Sequence, residues 1–403
     1  MSAAAILPGP VAGGGRLATL GVMGGGQLGR MFVHAAQALG FQTAVLDPDP
    51  TSPAGRVSDY HIATAYDDEQ GLAQLMQRCE AITTEFENVP ASALSTLAAQ
   101  RRVAPGPQAV AVAQDRLAEK AHFAVCATTT GVGPAPHAAI ASEADVAAAP
   151  EALLPGILKT ARLGYDGKGQ VRVDNRAALA AAWVQLGRVP CVLEQRLALR
   201  DELSVIVARG ADGSMVHFPV QRNLHRGGIL AVTEVYPDHI PAALAEQAIA
   251  ATRAIATELH YVGVLCVEFF VVDDGSRDGA LVVNEMAPRP HNSGHHTIDA
   301  FDVSQFELQV RALAGLPLVT PRQHSAAVML NLLGDLWWRN GQPVTPNWAG
   351  VLALPGTHLH LYGKHEARPG RKMGHVTITA ATAAAARERA LAAATLLGIA
   401  PWP

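Results

Sequence analysis

Two apolar segments separated by a short turn sequence limit the possible folds of this chain more than any other feature. They span residues 262–272 and 281–283, and the second runs directly toward Glu285. Residues 273–275, Asp-Asp-Gly, can begin a turn, so we predict an antiparallel hairpin. This hairpin would bring Glu268 close to Glu285. Paired carboxylates with a nearby amide oxygen are typical ligands of Mg²⁺ at a nucleotide phosphate site.

A loop rich in polar residues follows this hairpin. Residues 284–296 read N-E-M-A-P-R-P-H-N-S-G-H-H, in which two prolines and a glycine oppose regular structure. So many hydrogen-bonding groups on a rigid loop after a carboxylate indicate anion binding beside a metal. The alternative is a transition-metal site formed by His291, His295 and His296. The glycine between them and the preceding proline break the helical spacing of such a site, so we favour the anion site.

The composition indicates a globular chain of two or three domains. The protein has 403 residues, 49% of them hydrophobic, and a mean hydropathy of +0.15. Its net charge of −4 gives no general reason to expect nucleic-acid binding. No uncharged apolar run approaches the roughly 18 residues of a membrane span. Four scattered cysteines without a C-x-x-C pair favour a reducing compartment, the cytoplasm. We expect residues 1–16 to form a flexible tail.

Residues 17–114 alternate strand and helix patterns, which predicts an open parallel sheet. Strands are expected at 17–23, 43–46, 62–65 and 81–84, and helices at 28–39 and 70–78. The turn at 24–29, GGGQLG, fits the G-x-G-x-x-G pattern, and Asp47 ends the next strand where a ribose-binding acid would lie. A nicotinamide-dependent dehydrogenase is therefore one hypothesis, although many folds share this turn. Glu85 and Glu87 follow the last strand and could hold a substrate or cap a helix.

Two further regions are expected at residues 115–317 and 318–403. The elements predicted for the first are a helix at 115–124, an exposed joint at 128–134, strands at 156–159, 191–194 and 203–207, and a long helix at 241–259. The last region has short strands, proline and glycine turns, and an Ala-rich helix at 381–397.

A glycine-rich loop with one lysine lies in the second region. Residues 164–170 read G-Y-D-G-K-G-Q and lack the pattern of a P-loop. Such a loop can close over a triphosphate through its backbone N–H groups and Lys168, although a plain hairpin turn could have the same sequence. Lys159 ends the strand before it, where a buried lysine usually has an anionic partner. Glu194 and Glu202 could bind an adenosine or be solvated acids.

A basic segment near the C terminus forms a second group of cations. Residues 362–372 contain Lys364, Arg368, Arg371 and Lys372. The proline and glycine among them fix the shape of the loop, which favours a phosphate site over ordinary solvated surface.

Five blocks of this sequence together resemble the 5-(carboxyamino)imidazole ribonucleotide synthases, which are ATP-grasp ligases of purine biosynthesis. The blocks are GGGQLGRM (24–31), TTEFENVP (83–90), GYDGKGQ (164–170), NEMAPRPHNSGHHT (284–297), and YGK followed by RPGRKMGH (362–364 and 368–375). The resemblance implies an α/β and α+β architecture: a Rossmann-like N-terminal domain (17–114), a central ATP-grasp domain (115–317) and a small C-terminal domain (318–403). Leu163 departs from the family, which often has a glycine there, and would stiffen the loop.

The resemblance also implies roles for individual residues. Those implied to contact ATP are Arg116, Lys159, Gly164, Tyr165, Asp166, Gly167, Lys168, Gly169, Gln170, Glu194, Gln195, Arg196, Leu197, Glu202, His225, Asn284 and Glu285. The implied Mg²⁺ ligands are Glu268 and Glu285. The implied pocket for bicarbonate and carboxyphosphate consists of Arg289, His291, Asn292 and Ser293. The implied ribonucleotide contacts are Glu85, Tyr165, Asp166, Lys168, Lys364 and Arg371.

The activity implied by the resemblance converts ATP, bicarbonate and 5-aminoimidazole ribonucleotide into ADP, phosphate and the N-carboxylated ribonucleotide. Bicarbonate would attack the γ-phosphoryl group, and the carboxyphosphate formed would carboxylate the amine, directly or through CO₂. A homodimer is also implied. The alternatives are another ATP-grasp ligase, such as formate-dependent glycinamide ribonucleotide transformylase or a biotin carboxylase, and a non-catalytic nucleotide sensor. The R-P-H-N-S-G-H loop argues against another ATP-grasp ligase. The intact Glu268, Glu285 and Lys159 argue against a non-catalytic sensor.

Overall fold

The computed structural model describes residues 4–11, 15–164 and 167–403. Tyr165 and Asp166, which were predicted to contact both substrates, lie outside the described residues. Part of the predicted flexible tail packs against the protein: the N–H of Ile6 donates to the carbonyl of Ala314 at 2.8 Å, and Pro10 forms a β-bridge with Leu17. Residues 4–11 therefore contact the folded part of the chain, and the flexibility of residues 1–16 stays a prediction.

The first part of the chain folds as the sequence predicts, into a parallel sheet with helices between its strands. Its elements are β1 (Thr19–Met23), α1 (Gln27–Ala38), β2 (Gln42–Leu46), β3 (Tyr60–Ile62), α2 (Glu69–Arg78), β4 (Ala81–Thr84), α3 (Ala91–Ala98), β5 (Arg102–Val103) and α4 (Pro107–Ala113). The strand order is β3-β2-β1-β4-β5, and every pairing is parallel. All five residues of β1 are buried, as expected for the centre of a sheet covered on both faces.

A smaller antiparallel sheet follows. Its elements are α5 (Arg116–Thr130), β6 (His137–Ile140), α6 (Glu143–Ala148), β7 (Gly156–Thr160), β8 (Gln170–Val173), α7 (Arg176–Gln185) and β9 (Cys191–Gln195), with strand order β6-β9-β7-β8. The side chain of Asp115 caps α5 by accepting from the N–H groups of Leu117 and Ala118. The predicted joint at 128–134 is partly wrong, because α5 continues through Thr130 and ends at Gly131 in the left-handed conformation.

The rest of the structure consists of a nine-stranded sheet, a separate two-stranded ribbon and the helices around them. Its elements are β10 (Leu199–Arg209), β11 (Met215–His217), β12 (Gln221–Arg226), β13 (Ile229–Val235), α8 (Ala242–Glu258), β14 (Gly263–Val272), β15 (Ala280–Ala287), α9 (Thr297–Ala300), α10 (Gln305–Ala314), β16 (Ala326–Leu333), the ribbon β17 (Trp338–Arg339) and β18 (Gln342–Pro343), α11 (Trp348–Leu352), β19 (Thr357–Leu361), β20 (Lys372–Ala380) and α12 (Ala383–Leu397). The sheet order is β15-β14-β10-β12-β13-β16-β20-β19, with β11 beside β10.

This large sheet continues across the boundary predicted at residue 317. Strand β13 pairs with β16 over four residues, from Val232 opposite Leu330 to Val235 opposite Ala327. The last region therefore extends the sheet of the central region by hydrogen bonds. On the central part of the sheet, α8 buries Leu244, and its amphipathic face covers the apolar side chains of β10 and β14. Among the described residues, no helix is long and apolar enough to cross a bilayer.

Candidate active site

A cavity of ≈ 1530 Å³ lies between the parallel sheet, the four-stranded sheet and the nine-stranded sheet. It brings together most of the predicted site residues. The predicted residues that line it are Glu85, Arg116, Lys159, Gly164, Gly167, Lys168, Gln170, Glu194, Gln195, Arg196, Leu197, Glu202, His225, Glu268, Asn284, Glu285, Arg289, His291, Asn292, Lys364 and Arg371. Two described residues of the predicted set, Gly169 and Ser293, do not line it. A site of this size can hold a nucleotide and a second substrate together.

The hairpin of β14 and β15 has the predicted carboxylate pair and a bulge beside it. Glu268 lies opposite Glu285, whereas the next residue, Phe269, lies opposite Val283, so Asn284 is an extra residue in β15. Successive side chains of a regular strand point to opposite faces. The bulge changes this direction, and as a result both Asn284 and Glu285 line the cavity.

The two glutamates of this hairpin have different electrostatic surroundings. Burial and the nearby Glu285 raise the pKa of Glu268 above its ordinary value. Burial also opposes ionisation of Glu285, but the guanidinium of Arg116, with Nη1 3.0 Å from Oε2, and the ammonium of Lys159 hold its pKa below the ordinary value. A divalent cation between the pair would favour the ionised form of both carboxylates.

A second charged group consists of one carboxylate between two lysines. Lys159 Nζ lies 2.9 Å from Glu194 Oε2, which confirms that this strand-end lysine has an anionic partner, and Lys120 Nζ lies 3.1 Å from Oε1. Although burial raises the pKa of Glu194, the two lysines hold it below its usual value. Lys159 lines the cavity, whereas Lys120 is fully buried and does not line it. The ammonium group of Lys159 therefore makes this end of the cavity suited to an anion.

The sequence analysis missed Lys120 and its neighbour Glu119. The carboxylate of Glu119 accepts from the N–H of Met286 at 2.7 Å, and burial, followed by repulsion from Glu285, raises its pKa to about 8. Residues 116, 119 and 120 have the i, i+3, i+4 spacing that places them on one face of α5. This row of charged residues on one face of a predicted helix is the sequence signal that could have identified Glu119 and Lys120.

Glu202 and His225 form an ion pair across β10 and β12. His225 Nδ1 contacts Glu202 Oε2. Burial disfavours the charged imidazole, but the hydrogen bond to Glu202 and the nearby Glu268 raise the pKa of His225. Both residues line the cavity.

The loop after β15 is held by specific partners on both sides. Arg289 Nε donates to Glu87 Oε2 at 2.5 Å. Glu87, which the sequence offered as a substrate ligand or a helix cap, therefore belongs to the site and holds Arg289. Gln305 accepts from the backbone N–H of His291 at 2.9 Å and donates to its carbonyl at 2.7 Å. His291 Nε2 lies 3.6 Å from Glu268 Oε1, and burial and then Arg289 keep its pKa well below the ordinary value.

Ser293 lies behind this loop. It is fully buried, and its Oγ accepts from Ser204 Oγ at 2.8 Å and lies 3.0 Å from His291 Nδ1. This position gives no support to a direct contact with bicarbonate. The hydroxyl instead orients the imidazole of His291, which lines the cavity.

Gly294 allows the loop to pack against the large sheet. A Cβ at this position would lie 2.2 Å from Ile206 Cδ1 and 2.6 Å from Gln305 Oε1. We expect Gly294→Ala to lower the free energy of unfolding by about 1–3 kcal/mol, because an added methyl overpacks this contact. Urea denaturation measures the change. Gly106→Ala is the control, since its Cβ would meet no atom nearer than 3.9 Å; equal stability of the two variants would contradict this prediction.

The three histidines of the loop do not form the alternative zinc site. His291 contacts Ser293, His295 Nδ1 lies 3.2 Å from Gln305 Nε2, and His296 Nδ1 donates to the carbonyl of Ser293 at 2.8 Å. Because the rings have separate partners, we abandon that interpretation of the loop.

The glycine turn at 24–29 holds protein carboxylates in the place of a phosphate. Glu85 accepts from the N–H groups of Gly26 at 2.6 Å and Gly29 at 2.8 Å. Asp47, the predicted ribose-binding acid, accepts from Gly25 N–H at 2.7 Å and from Tyr66 Oη at 2.6 Å. The amides that would bind a dinucleotide are thus already satisfied, which contradicts the dehydrogenase hypothesis.

Both loops predicted to bind phosphates border the same cavity. Gly164, Gly167 and Lys168 of the glycine-rich loop line one side, and Leu163 before it has φ of 62°, a left-handed conformation that favours glycine. On the other side, Lys364 Nζ donates to the carbonyl of Lys372 at 2.8 Å. The cavity therefore has cations at two ends.

Comparisons with known proteins agree with this architecture. Family models match at residues 17–114 (ribonucleotide synthetase preATP-grasp domain), 126–306 (ATP-grasp domain) and 327–389 (phosphoribosylaminoimidazole carboxylase C-terminal domain). An N5-carboxyaminoimidazole ribonucleotide synthase from Brucella melitensis is 44% identical over 362 residues, which are 89% of this chain and 95% of that protein. The chain belongs to the N5-carboxyaminoimidazole ribonucleotide synthase family.

Solved structures of this family have the same fold. The Staphylococcus aureus N5-carboxyaminoimidazole synthetase complexed with ADP has a TM-score of 0.84 and 37% identity, covering 93% of this chain and 96% of that one. The Aspergillus clavatus synthase in complex with ADP and 5-aminoimidazole ribonucleotide has a TM-score of 0.83 and 29% identity, covering 94% and 98%. The predicted family, the ATP-grasp fold and the class of ATP-dependent ligase are confirmed, whereas the domain boundaries and individual residue roles stay predictions.

Proposed function

We propose that this protein carboxylates 5-aminoimidazole ribonucleotide with bicarbonate at the expense of ATP, which yields ADP, phosphate and 5-(carboxyamino)imidazole ribonucleotide in purine biosynthesis. The observation that carries the proposal is the single cavity shared by the nucleotide loop, the carboxylate hairpin and the basic segment 364–372. Its support in known proteins is the family, together with the relative whose structure holds ADP and 5-aminoimidazole ribonucleotide.

Glu268, Glu285 and Asn284 would hold Mg²⁺. The donor set fits this ion, because two facing carboxylates and an amide supply oxygen ligands only. Asn284 Oδ1 is buried and has no hydrogen-bond partner among the described residues, which supports a cation beside it. When bound with ATP, Mg²⁺ would offset negative charge on the phosphates.

Lys159 and Arg116, which both line the cavity, would hold the triphosphate at the other side of the carboxylates. Lys159 and Lys120 share Glu194, and Arg116 contacts Glu285. The cations of Lys159 and Arg116 would stabilise the charge that develops as the γ-phosphoryl group moves from ATP to bicarbonate and ADP leaves. The glycine-rich loop would exclude water from the labile carboxyphosphate.

Arg289, His291 and Asn292 would bind bicarbonate and carboxyphosphate. Arg289 is fixed by Glu87, and His291 is fixed by Gln305 and Ser293. The bicarbonate oxygen attacks the γ-phosphorus and ADP leaves. The amine of the ribonucleotide then attacks the carboxyl carbon, phosphate leaves, and the nitrogen loses a proton. Rigid hydrogen-bond donors around the carboxyl group reduce the entropic cost of orienting the reactants in both steps.

Glu85, Lys364 and Arg371 would bind the ribonucleotide, the last two through its phosphate. We expect Lys364→Ala to raise KM for the ribonucleotide about 10-fold or more while KM for ATP changes little, because a charge-assisted hydrogen bond is lost. Steady-state kinetics with each substrate varied in turn measures this split. Arg389→Ala, on α12 away from the cavity, is the control; an unchanged ribonucleotide KM in Lys364→Ala would reject the assignment.

The direct test of the proposed function is ADP release from Mg-ATP and bicarbonate, with and without 5-aminoimidazole ribonucleotide. Strong stimulation by the ribonucleotide, with a labile carboxylated product, is the expected result. Binding of ATP without stimulation would reject the proposed substrate and support a different acceptor or a sensor. The homodimer and the cytoplasmic location remain predictions, and sedimentation of the purified protein tests the first.

A further inference from the structure

A cluster of histidines with one aspartate lies outside the active-site cavity. One ligand atom from each of Asp299, His360 and His375 lies within 4.8 Å of the other two. None of these residues lines the cavity. Asp299 belongs to the segment matched by the ATP-grasp model, whereas His360 and His375 belong to the segment matched by the C-terminal model. The cluster therefore bridges these two parts of the chain.

The register of two strands builds this cluster. His360 of β19 lies opposite His375 of β20, and their rings stack with centroids 4.5 Å apart. His358 lies two residues before His360, so both side chains are on the same face of the sheet. Asp299 approaches from α9: its Oδ2 lies 2.9 Å from His360 Nε2, and its Oδ1 lies 3.7 Å from His358 Nδ1.

In two of the imidazoles, a hydroxyl group of the protein lies within hydrogen-bond distance of one ring nitrogen. Tyr362 Oη lies 2.9 Å from His375 Nδ1, and Thr379 Oγ1 lies 3.1 Å from His358 Nε2. The remaining nitrogen of His375, Nε2, is buried and has no hydrogen-bond partner among the described residues. Histidine ligands of metals are commonly fixed in this way through their second nitrogen.

A hydrogen bond between His360 and Asp299 explains only part of this arrangement. It accounts for those two residues, but it leaves His375 Nε2 without a partner among the described residues. It also gives no reason for the position of His358 beside the same carboxylate. A cation with an affinity for nitrogen would satisfy both observations. Imidazole and carboxylate together suit a first-row transition metal, whereas Mg²⁺ prefers oxygen ligands alone.

We propose that Asp299, His360 and His375 form a binding site for a transition-metal ion such as Zn²⁺, which joins α9 to the C-terminal strands. His358, whose Nδ1 lies 3.7 Å from Asp299 Oδ1, is the nearest candidate for a fourth ligand. Tetrahedral Zn²⁺ with ligands at about 2.0 Å separates neighbouring ligand atoms by about 3.3 Å. The distances of 2.9, 3.2 and 3.7 Å between Asp299 oxygens and the nitrogens of His360 and His358 lie around that value. The side chains of His358 and His360 are 41% and 29% exposed, so an ion can enter from solvent.

The test is metal binding by the full-length protein after treatment with a chelator, in millimolar Mg²⁺ so that the Glu268–Glu285 pair is occupied. We expect one Zn²⁺ per chain in a competition titration, a visible Co²⁺ spectrum typical of four-coordinate nitrogen and oxygen ligation, and a melting temperature that rises with Zn²⁺. His360→Gln and Asp299→Asn are expected to lower the Zn²⁺ affinity at least about 100-fold. His324→Gln, an exposed histidine elsewhere, is the matched control.

Equal Zn²⁺ affinity in the wild type, His360→Gln and Asp299→Asn would overturn the proposal, as would the absence of stoichiometric binding by the wild type. The cluster would then be a hydrogen-bonding network only. Circular dichroism of each variant verifies folding. If both variants fail to fold, the Co²⁺ spectrum of the wild type decides, because all-oxygen octahedral ligation would reject histidine ligands.

Discussion

Glu285→Gln is expected to lower ATP turnover about 10³-fold while the fold stays intact. The substitution removes one carboxylate from the proposed Mg²⁺ site and the charged partner of Arg116. The fold should tolerate it, because the Glu285 side chain lines the cavity and the amide has nearly the same shape. Ribonucleotide-dependent ADP release measures the effect, and thermal unfolding measures stability.

Glu143→Gln is the matched control for this experiment. Glu143 makes a comparable ion pair, with Arg188 Nη1 at 3.1 Å, but on the surface of the smaller sheet. Its loss should leave turnover unchanged, since exposed ion pairs contribute little to stability. Turnover by Glu285→Gln within about 10-fold of the wild type would reject the metal assignment. Loss of a ligand of the ion that binds the reacting phosphates is expected to lower the rate by more than about 10-fold.

Arg289→Lys is expected to lower the carboxylation rate by about 10²–10³-fold. Lysine keeps the charge but lacks the planar fork that lets arginine hold Glu87 and a carboxyl group together. Because we propose that this residue binds bicarbonate and not the nucleotide, we expect the affinity for ATP to stay unchanged. Bicarbonate-dependent ADP release and a separate nucleotide-binding titration measure the two quantities.

The control for Arg289→Lys is Arg311→Lys. Arg311 pairs with Glu307 at 2.5 Å on α10, with a similar geometry but away from the cavity. It should keep full activity. Equal losses of ATP affinity and of carboxylation rate in Arg289→Lys would contradict the bicarbonate role and indicate general damage to the site.

The sequence predicted the carboxylate hairpin because the evidence for it is local. Two apolar runs and a turn determine which residues pair, and the spacing then determines that Glu268 meets Glu285. The bulge at Asn284 is different. An extra residue in one strand has no fixed sequence pattern, so the sequence could not predict that Asn284 and Glu285 would both line the cavity.

Other features of the site depend on contacts between distant segments. Glu85 accepts hydrogen bonds from the amides of Gly26 and Gly29 although it lies 56 or more positions away from them in the sequence. The local glycine motif at 24–29, read without this partner, therefore suggested a dinucleotide site. Lys120 and Glu119 were missed because their partners lie on other elements. The cluster of His360 and His375 required the register of β19 and β20 and the approach of α9, none of which a single sequence provides.

The continuous nine-stranded sheet limits how substrates can enter. Shearing β13 from β16 would break a row of backbone hydrogen bonds, so the carboxylate hairpin and the basic segment 364–372 behave as one stiff frame. The four-stranded sheet is distinct from the nine-stranded sheet, and it carries Lys159 and the glycine-rich loop. We therefore expect the cavity to open and close by a movement of the four-stranded sheet relative to the nine-stranded sheet, while the proposed Mg²⁺ and ribonucleotide sites stay at a constant distance from each other.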